Sequence, residues 1–110
     1  MENPPKLWRH GDVLIQEVDE IPEDFHDSPH HEPVLYRGDV SGHSHRFKDK
    51  QTVQVYRIKW QDQLFFEVLD EQGADLKHQE HNPIHFEKGF YRAWRQREFD
   101  SVRGSRWVAD

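Results

Sequence analysis

The sequence predicts an all-β chain: a small single-domain barrel or two-sheet sandwich of about seven or eight short strands. Three observations predict it. Apolar residues alternate with period 2 in the middle of the chain, at Val53, Val55, Ile58 and Trp60 and again at Leu64, Phe66 and Val68. No window sustains the i, i+3, i+4 spacing of an amphipathic helix with a cap and a stop. Turn signals recur at intervals of about 8–12 residues, as in small sandwiches and barrels.

The elements follow in order. Residues 1–11 read as a lead-in, with Leu7 and Trp8 to anchor it. Asp12 to Val18 reads as a strand. Residues 19–33 hold six carboxylates, three histidines and three prolines without a Lys or Arg, which reads as a loop projecting from the domain. Val34 to Val40 reads as a strand running to a turn at Ser41-Gly42, and 43–50 as an extended segment of alternating exposure. Thr52 to Trp60 and Gln63 to Leu69 flank a short turn at Gln61-Asp62 and read as a hairpin. Residues 70–75 turn, Leu76 to His78 and Ile84 to Phe86 are short strands, and Phe90 to Phe99 is a long one. A final strand covers Ser105 to Ala109, after a turn at 100–104.

Composition sets the limits. The 110 residues are 34% hydrophobic and 33% charged, so a single domain with a small, aromatic core is expected: seven Phe, four Trp and three Tyr stand against one Met. No apolar run is long enough to span a membrane. The absence of Cys excludes disulfides and thiolate sites. The polar, Pro-rich start has no apolar signal-peptide segment, so a cytoplasmic address is expected. Net charge is −6, a poor basis for binding nucleic acid. The charge is uneven, because residues 88–110 carry six basic and three acidic side chains.

The outstanding feature is nine histidines, the commonest metal-ligand type. Gly42-His43-Ser44-His45 places two imidazoles on one face of an extended segment. His78-Gln79-Glu80-His81-Asn82-Pro83-Ile84-His85 adds three more and a carboxylate. If extended, it sets His81 and His85 on one face and His78 with Glu80 on the other; a bend at Pro83 changes that. Three His, or two His and a carboxylate, with an open position describe a catalytic Zn or non-haem Fe site. His43, His45 and His81, joined by His78 or Glu80, form such a set.

A second constellation is the strand bearing Tyr91, Arg95 and Arg97 on one face. Facing a cavity, Arg95 and Arg97 would grip a carboxylate or phosphate; facing solvent, they form a charged edge with Glu98 as partner. A nucleic-acid face would need Arg92, Arg95, Arg97, Arg103 and Arg106 in one exposed stripe. The acidic loop, with His26, His30 and His31, could donate ligands, sense pH, dock on a basic partner or simply be solvated.

The H-x-H after a glycine turn, with a later His near Pro and Gly, resembles a single-domain cupin. The resemblance covers roughly residues 38–90. It implies a metal held inside a small jelly-roll barrel, with His43 and His45 matching the first motif and His81 the later His. No Glu follows His45 at the family's spacing; Asp49 is the nearest carboxylate. The runs at 11–15, 42–46, 80–84 and 89–98 also resemble small bacterial and phage proteins, a likeness that implies no activity.

The sequence thus leads to a metal-binding β-domain, holding Zn, Fe, Mn or Ni at His43, His45, His78 and His81. As an enzyme, a hydrolase or other small-molecule enzyme, it would use Glu80 as general base and Arg95 or Arg97 for an anionic substrate. The competing class is a protein-interaction or homo-oligomerisation module.

Overall fold

The computed structural model describes residues 6–38 and 42–96 in full, together with the backbone of two further strands at Arg97–Asp100 and Gly104–Trp107. The fold is all-β. Six strands form one antiparallel sheet in the order β1 (Leu7–His10), β2 (Val13–Val18), β10 (Gly89–Arg95), β7 (Leu64–Val68), β6 (Val53–Arg57) and β3 (Pro29–His30). Four strands form a second: β4 (Val34–Arg37), β5 (Ser44–Phe47), β8 (Ala74–Lys77) and β9 (Ile84–Phe86). The strands β11 (Arg97–Asp100) and β12 (Gly104–Trp107) pair only with each other among the described residues. The count exceeds the seven or eight strands expected.

Period-2 alternation directs one face of each sheet toward the other. Val13 and Ile15 of β2, Val53 and Val55 of β6, Leu64, Phe66 and Val68 of β7, and Tyr91 and Ala93 of β10 are all buried. They meet Phe47 of β5, Leu76 of β8 and Phe86 of β9 in one core. Aromatic rings hold its centre. Phe66 lies 5.2 Å from Phe47, 5.8 Å from Phe86 and 5.0 Å from Tyr91, centroid to centroid. Such pairs add roughly 0.5–1.5 kcal/mol each beyond burial, which helps a chain poor in aliphatic residues.

Three elements differ from the sequence reading. Within the described part of the lead-in, Leu7–His10 form strand β1. Gly11 takes φ 63° and, with Asp12, forms a two-residue turn to β2, pairing His10 with Val13. The acidic loop does not project. It carries a short 3₁₀ turn at Glu23–Phe25 and strand β3, and it buries Ile21 and Phe25. Phe25 packs edge-on against Phe65, 4.7 Å away, on the outer face of the six-stranded sheet. Two apolar anchors in a polar segment suffice to fasten it there. The central hairpin also stops sooner: β6 ends at Arg57, and Trp60 is 84% exposed.

The pairing of β4 with β5 slips between Val34 and Tyr36, a bulge that leaves Leu35 without an opposite residue. Val34, Leu35 and Tyr36 are all buried in consequence. Among the described residues no helix is long and apolar enough to cross a membrane.

Candidate functional site

The histidines of three distant segments meet at one end of the space between the sheets. Strand β1 points Trp8 into the core, so His10, two residues on, faces inward as well. His45 lies on the inward face of β5 with Phe47 and is 1% exposed. His78 continues the inward face of β8 after Leu76, and the bend at 79–83 returns His81 toward it. Gln79 fastens that bend by accepting the Ser44 backbone N–H at 3.0 Å.

The rings of His10, His45, His78 and His81 stand 4.4–6.3 Å apart, centroid to centroid. His43 joins at the rim, 5.5 Å from His78. The structure therefore brings the rings of His43, His45, His78 and His81 near one another, with His10 among them. Among the described residues, no three histidines and carboxylates are arranged to hold a metal ion as they stand.

Carbonyl and backbone N–H partners define where His10 and His78 carry their protons. His10 Nε2 is 2.9 Å from the Asn82 carbonyl oxygen, which only accepts, so that nitrogen donates. His45 Nε2 stands 3.3 Å from Asp12 Oδ1, within ion-pair reach of the carboxylate but without a hydrogen bond to it. The two Nδ1 atoms then face each other at 2.9 Å. A neutral His10, its proton on Nε2, accepts there from His45 Nδ1–H. A cation held between the two nitrogens fits the same spacing.

Asp12 is the anchor of this arrangement. It follows the Gly11 turn, its side chain is 1% exposed, and its second oxygen accepts from Arg95 Nε at 2.9 Å. The chain Arg95–Asp12–His45–His10–Asn82 thus runs through the interior. Ordered polar partners of this kind fix the tautomer and orientation of each imidazole.

The remaining expected residues divide as follows. His78 Nδ1 accepts the Glu80 backbone N–H at 3.0 Å, so Nδ1 holds a lone pair and a neutral His78 carries its proton on Nε2. Glu80 is 63% exposed, with an oxygen 3.9 Å from His43 Nδ1; it stands at the solvent rim. The extended reading of 78–85 fails at the Pro83 bend: His85 turns outward and meets Asp75 at 2.6 Å, away from the cluster. Arg95 faces inward, whereas Arg92 lies on the outer face, its guanidinium 4.4 Å from the Trp94 ring. Those two arginines share no stripe. The side chains of Arg97 and Arg106, and residue Arg103, lie outside the described residues.

His10 and Asp12 were the omissions of the sequence reading. A strand register would have found them. Trp8 and His10 share a face at period 2, and Gly11-Asp12 matches a two-residue hairpin turn.

Residues 9–96 match the family described as a domain of unknown function, DUF8820, and the chain belongs to it. Neither the curated proteins nor the solved structures give a match.

Proposed function

We propose that this member of the DUF8820 family binds a divalent transition-metal ion in its buried histidine cluster. The observation that carries the reading is the 2.9 Å approach of His10 Nδ1 to His45 Nδ1, with His10 Nε2 donating to the Asn82 carbonyl and His45 Nε2 turned toward Asp12. Two nitrogens at the ~2.0–2.1 Å distances of a zinc–imidazole bond stand about 2.9–3.4 Å apart, for angles from a right angle to tetrahedral. The carbonyl and carboxylate behind the rings match the outer partners of metal-bound histidines.

On this reading His10 and His45 are the fixed pair. His81, half-buried and within 5.8 Å of both rings, is the third ligand after a small adjustment of the 79–83 bend. His78, with Nδ1 occupied, packs the site, and His43 with Glu80 forms its mouth. A metal-bound water at that mouth would have the solvent-facing Glu80 carboxylate as a base, which suits hydrolysis of a small molecule.

The same spacing fits one proton shared between the two rings, and the test separates the alternatives. Protein stripped with chelator is titrated with Zn(II), Ni(II) and Mn(II), following heat of binding and melting temperature. Co(II) reports ligand geometry by its visible spectrum. The expected result is one ion per chain, a higher melting temperature, and loss of both in His10→Ala and His45→Ala. A wild type that takes up none of these ions saturably overturns the metal reading and leaves the shared proton.

A further inference from the structure

The inward faces of two core strands begin apolar and end in arginine. Along β6 the inward residues are Val53, Val55 and Arg57; along β10 they are Tyr91, Ala93 and Arg95. His30 of β3 pairs with Val55 and so shares its side of the sheet. Across the gap, β4 contributes Leu35, Tyr36 and Arg37. Of these, His30, Leu35, Tyr36, Arg37, Arg57 and Arg95, with Val34, line a cavity of about 370 Å³ between the sheets.

The arginines there are unequally matched. Arg37 pairs with Glu32 at 2.5 Å, and Arg95 with Asp12 at 2.9 Å. Arg57 makes no ion pair among the described residues. It donates to the Leu35 carbonyl, which the β4 bulge turns away from the ladder, and its guanidinium lies 5.1 Å from the Tyr36 ring centre. Burial holds its pKa below the ordinary arginine range. Arg95 sits 5.6 Å from the same ring. A cation turned into a sheet interior, where a neighbouring position holds valine, is costly without an anion to meet it.

We propose that this cavity is a binding site for a phosphate group, free or as the end of a small phosphate monoester. Three guanidiniums arrive from three strands of two sheets. One arginine fork saturates both oxygens of a carboxylate, whereas a phosphate offers further oxygens to the second and third. The volume exceeds what an inorganic ion fills and lies in the range of small-ligand pockets. Leu35 supplies an apolar wall. The site stands on the arginines alone and does not need the metal.

His30 provides the reporter. Its pKa lies below the ordinary 6.5, through burial first, then the charges of Arg57, His31 and Arg37, with Glu32 opposing. A bound phosphate adds negative charge beside it and raises that pKa.

The test uses chelator-treated full-length protein at constant ionic strength, titrated with inorganic phosphate, phenyl phosphate and acetate. Calorimetry and the His30 ring-proton NMR signal are followed. We expect saturable phosphate binding, an upward shift of the His30 pKa, and acetate at least tenfold weaker. Arg57→Gln should weaken phosphate at least tenfold. Arg37→Gln, at an exposed position where folding is not at stake, should weaken it severalfold, and Lys50→Gln should leave it unchanged. The His10→Ala variant should bind phosphate as wild type does, which separates this site from the metal reading. Tighter phenyl phosphate assigns the monoester, and tighter inorganic phosphate the free ion. No saturable binding in wild type, acetate equal to phosphate, or Arg37→Gln binding as tightly as wild type overturns the proposal.

Discussion

Replacing Asp12 by Ala should be among the most damaging single changes in this domain. One carboxylate oxygen accepts from Arg95 at 2.9 Å and the other lies 3.3 Å from His45 Nε2, and the Asp12, Arg95 and His45 side chains are 1%, 12% and 1% exposed. Two opposite charges about 4 Å apart attract by roughly 4 kcal/mol at an effective dielectric constant near 20. Removing one member of such a buried pair costs about 3–5 kcal/mol, because the other is left without compensation. That is a large part of the ~5–15 kcal/mol available to a domain of this size. At about 4 °C per kcal/mol, the melting temperature should fall by roughly 12–20 °C. Asp12→Asn keeps an acceptor oxygen and should cost less. Urea unfolding of Asp12→Ala, Arg95→Met and the double variant gives the coupling energy directly. It should reach at least about 1 kcal/mol, within the range seen for residues in contact. A coupling under ~0.5 kcal/mol, with Asp12→Ala costing less than ~1 kcal/mol, would refute the view that this pair braces the cluster.

Further outcomes follow from other parts of the fold. Phe66, fully buried among Phe47, Phe86 and Tyr91, should cost about 3–5 kcal/mol on replacement by Ala in urea unfolding. Burial first, then Glu17 and Glu87, raises the Tyr91 phenol from 10.0 to about 12. A raised folded-state pKa gives stability that is complete below the ordinary value and lost as pH climbs through the raised one. Wild type should therefore weaken between pH 10 and about 12; Tyr91→Phe should weaken less there, while losing ~0.5–1.5 kcal/mol at neutral pH with the hydrogen bond to the Glu87 carbonyl. Stability measured against pH on both proteins checks the sign. Gly73→Ala should cost more than about 1 kcal/mol by thermal melting, because φ is +79° and a Cβ would run into the Phe86 carbonyl and the His85 ring.

Local pattern carried much of the architecture. The alternation at Val53, Val55, Leu64, Phe66 and Val68 is a property of the chain itself, since successive strand residues point to opposite faces whatever the partner. It placed the core residues of β6 and β7, and the all-β class with them. It did not set strand ends: Trp60 continues the alternation yet is exposed, because pairing with β7 starts only at Arg57 opposite Leu64. Nor did it place Phe25, whose acidic, Pro-rich surroundings resemble solvated loop. Only the vacant outer face of β7, bearing Phe65, gave that ring somewhere to bury.

The candidate site divides in the same way. Residue type and spacing singled out His43, His45, His78 and His81, because an imidazole is chemically conspicuous wherever it lies. Their convergence, and the entry of His10 and Asp12, depend on β1 folding back on β2 and on the 79–83 bend reaching over β5. The β1–β2 hairpin is local, but its docking on β5 and on the 79–83 bend joins residues 35 and 72 positions apart, which no local pattern encodes. The same holds for Arg57. In the sequence it is one cation among fifteen; between the sheets it is a guanidinium facing Tyr36, with Arg37 and Arg95 beside the same cavity. The chain by itself determined period, class and chemistry, since these are local properties of side chains and backbone. The tertiary structure alone decided which chemistry became neighbours, since burial and proximity are properties of the packed whole.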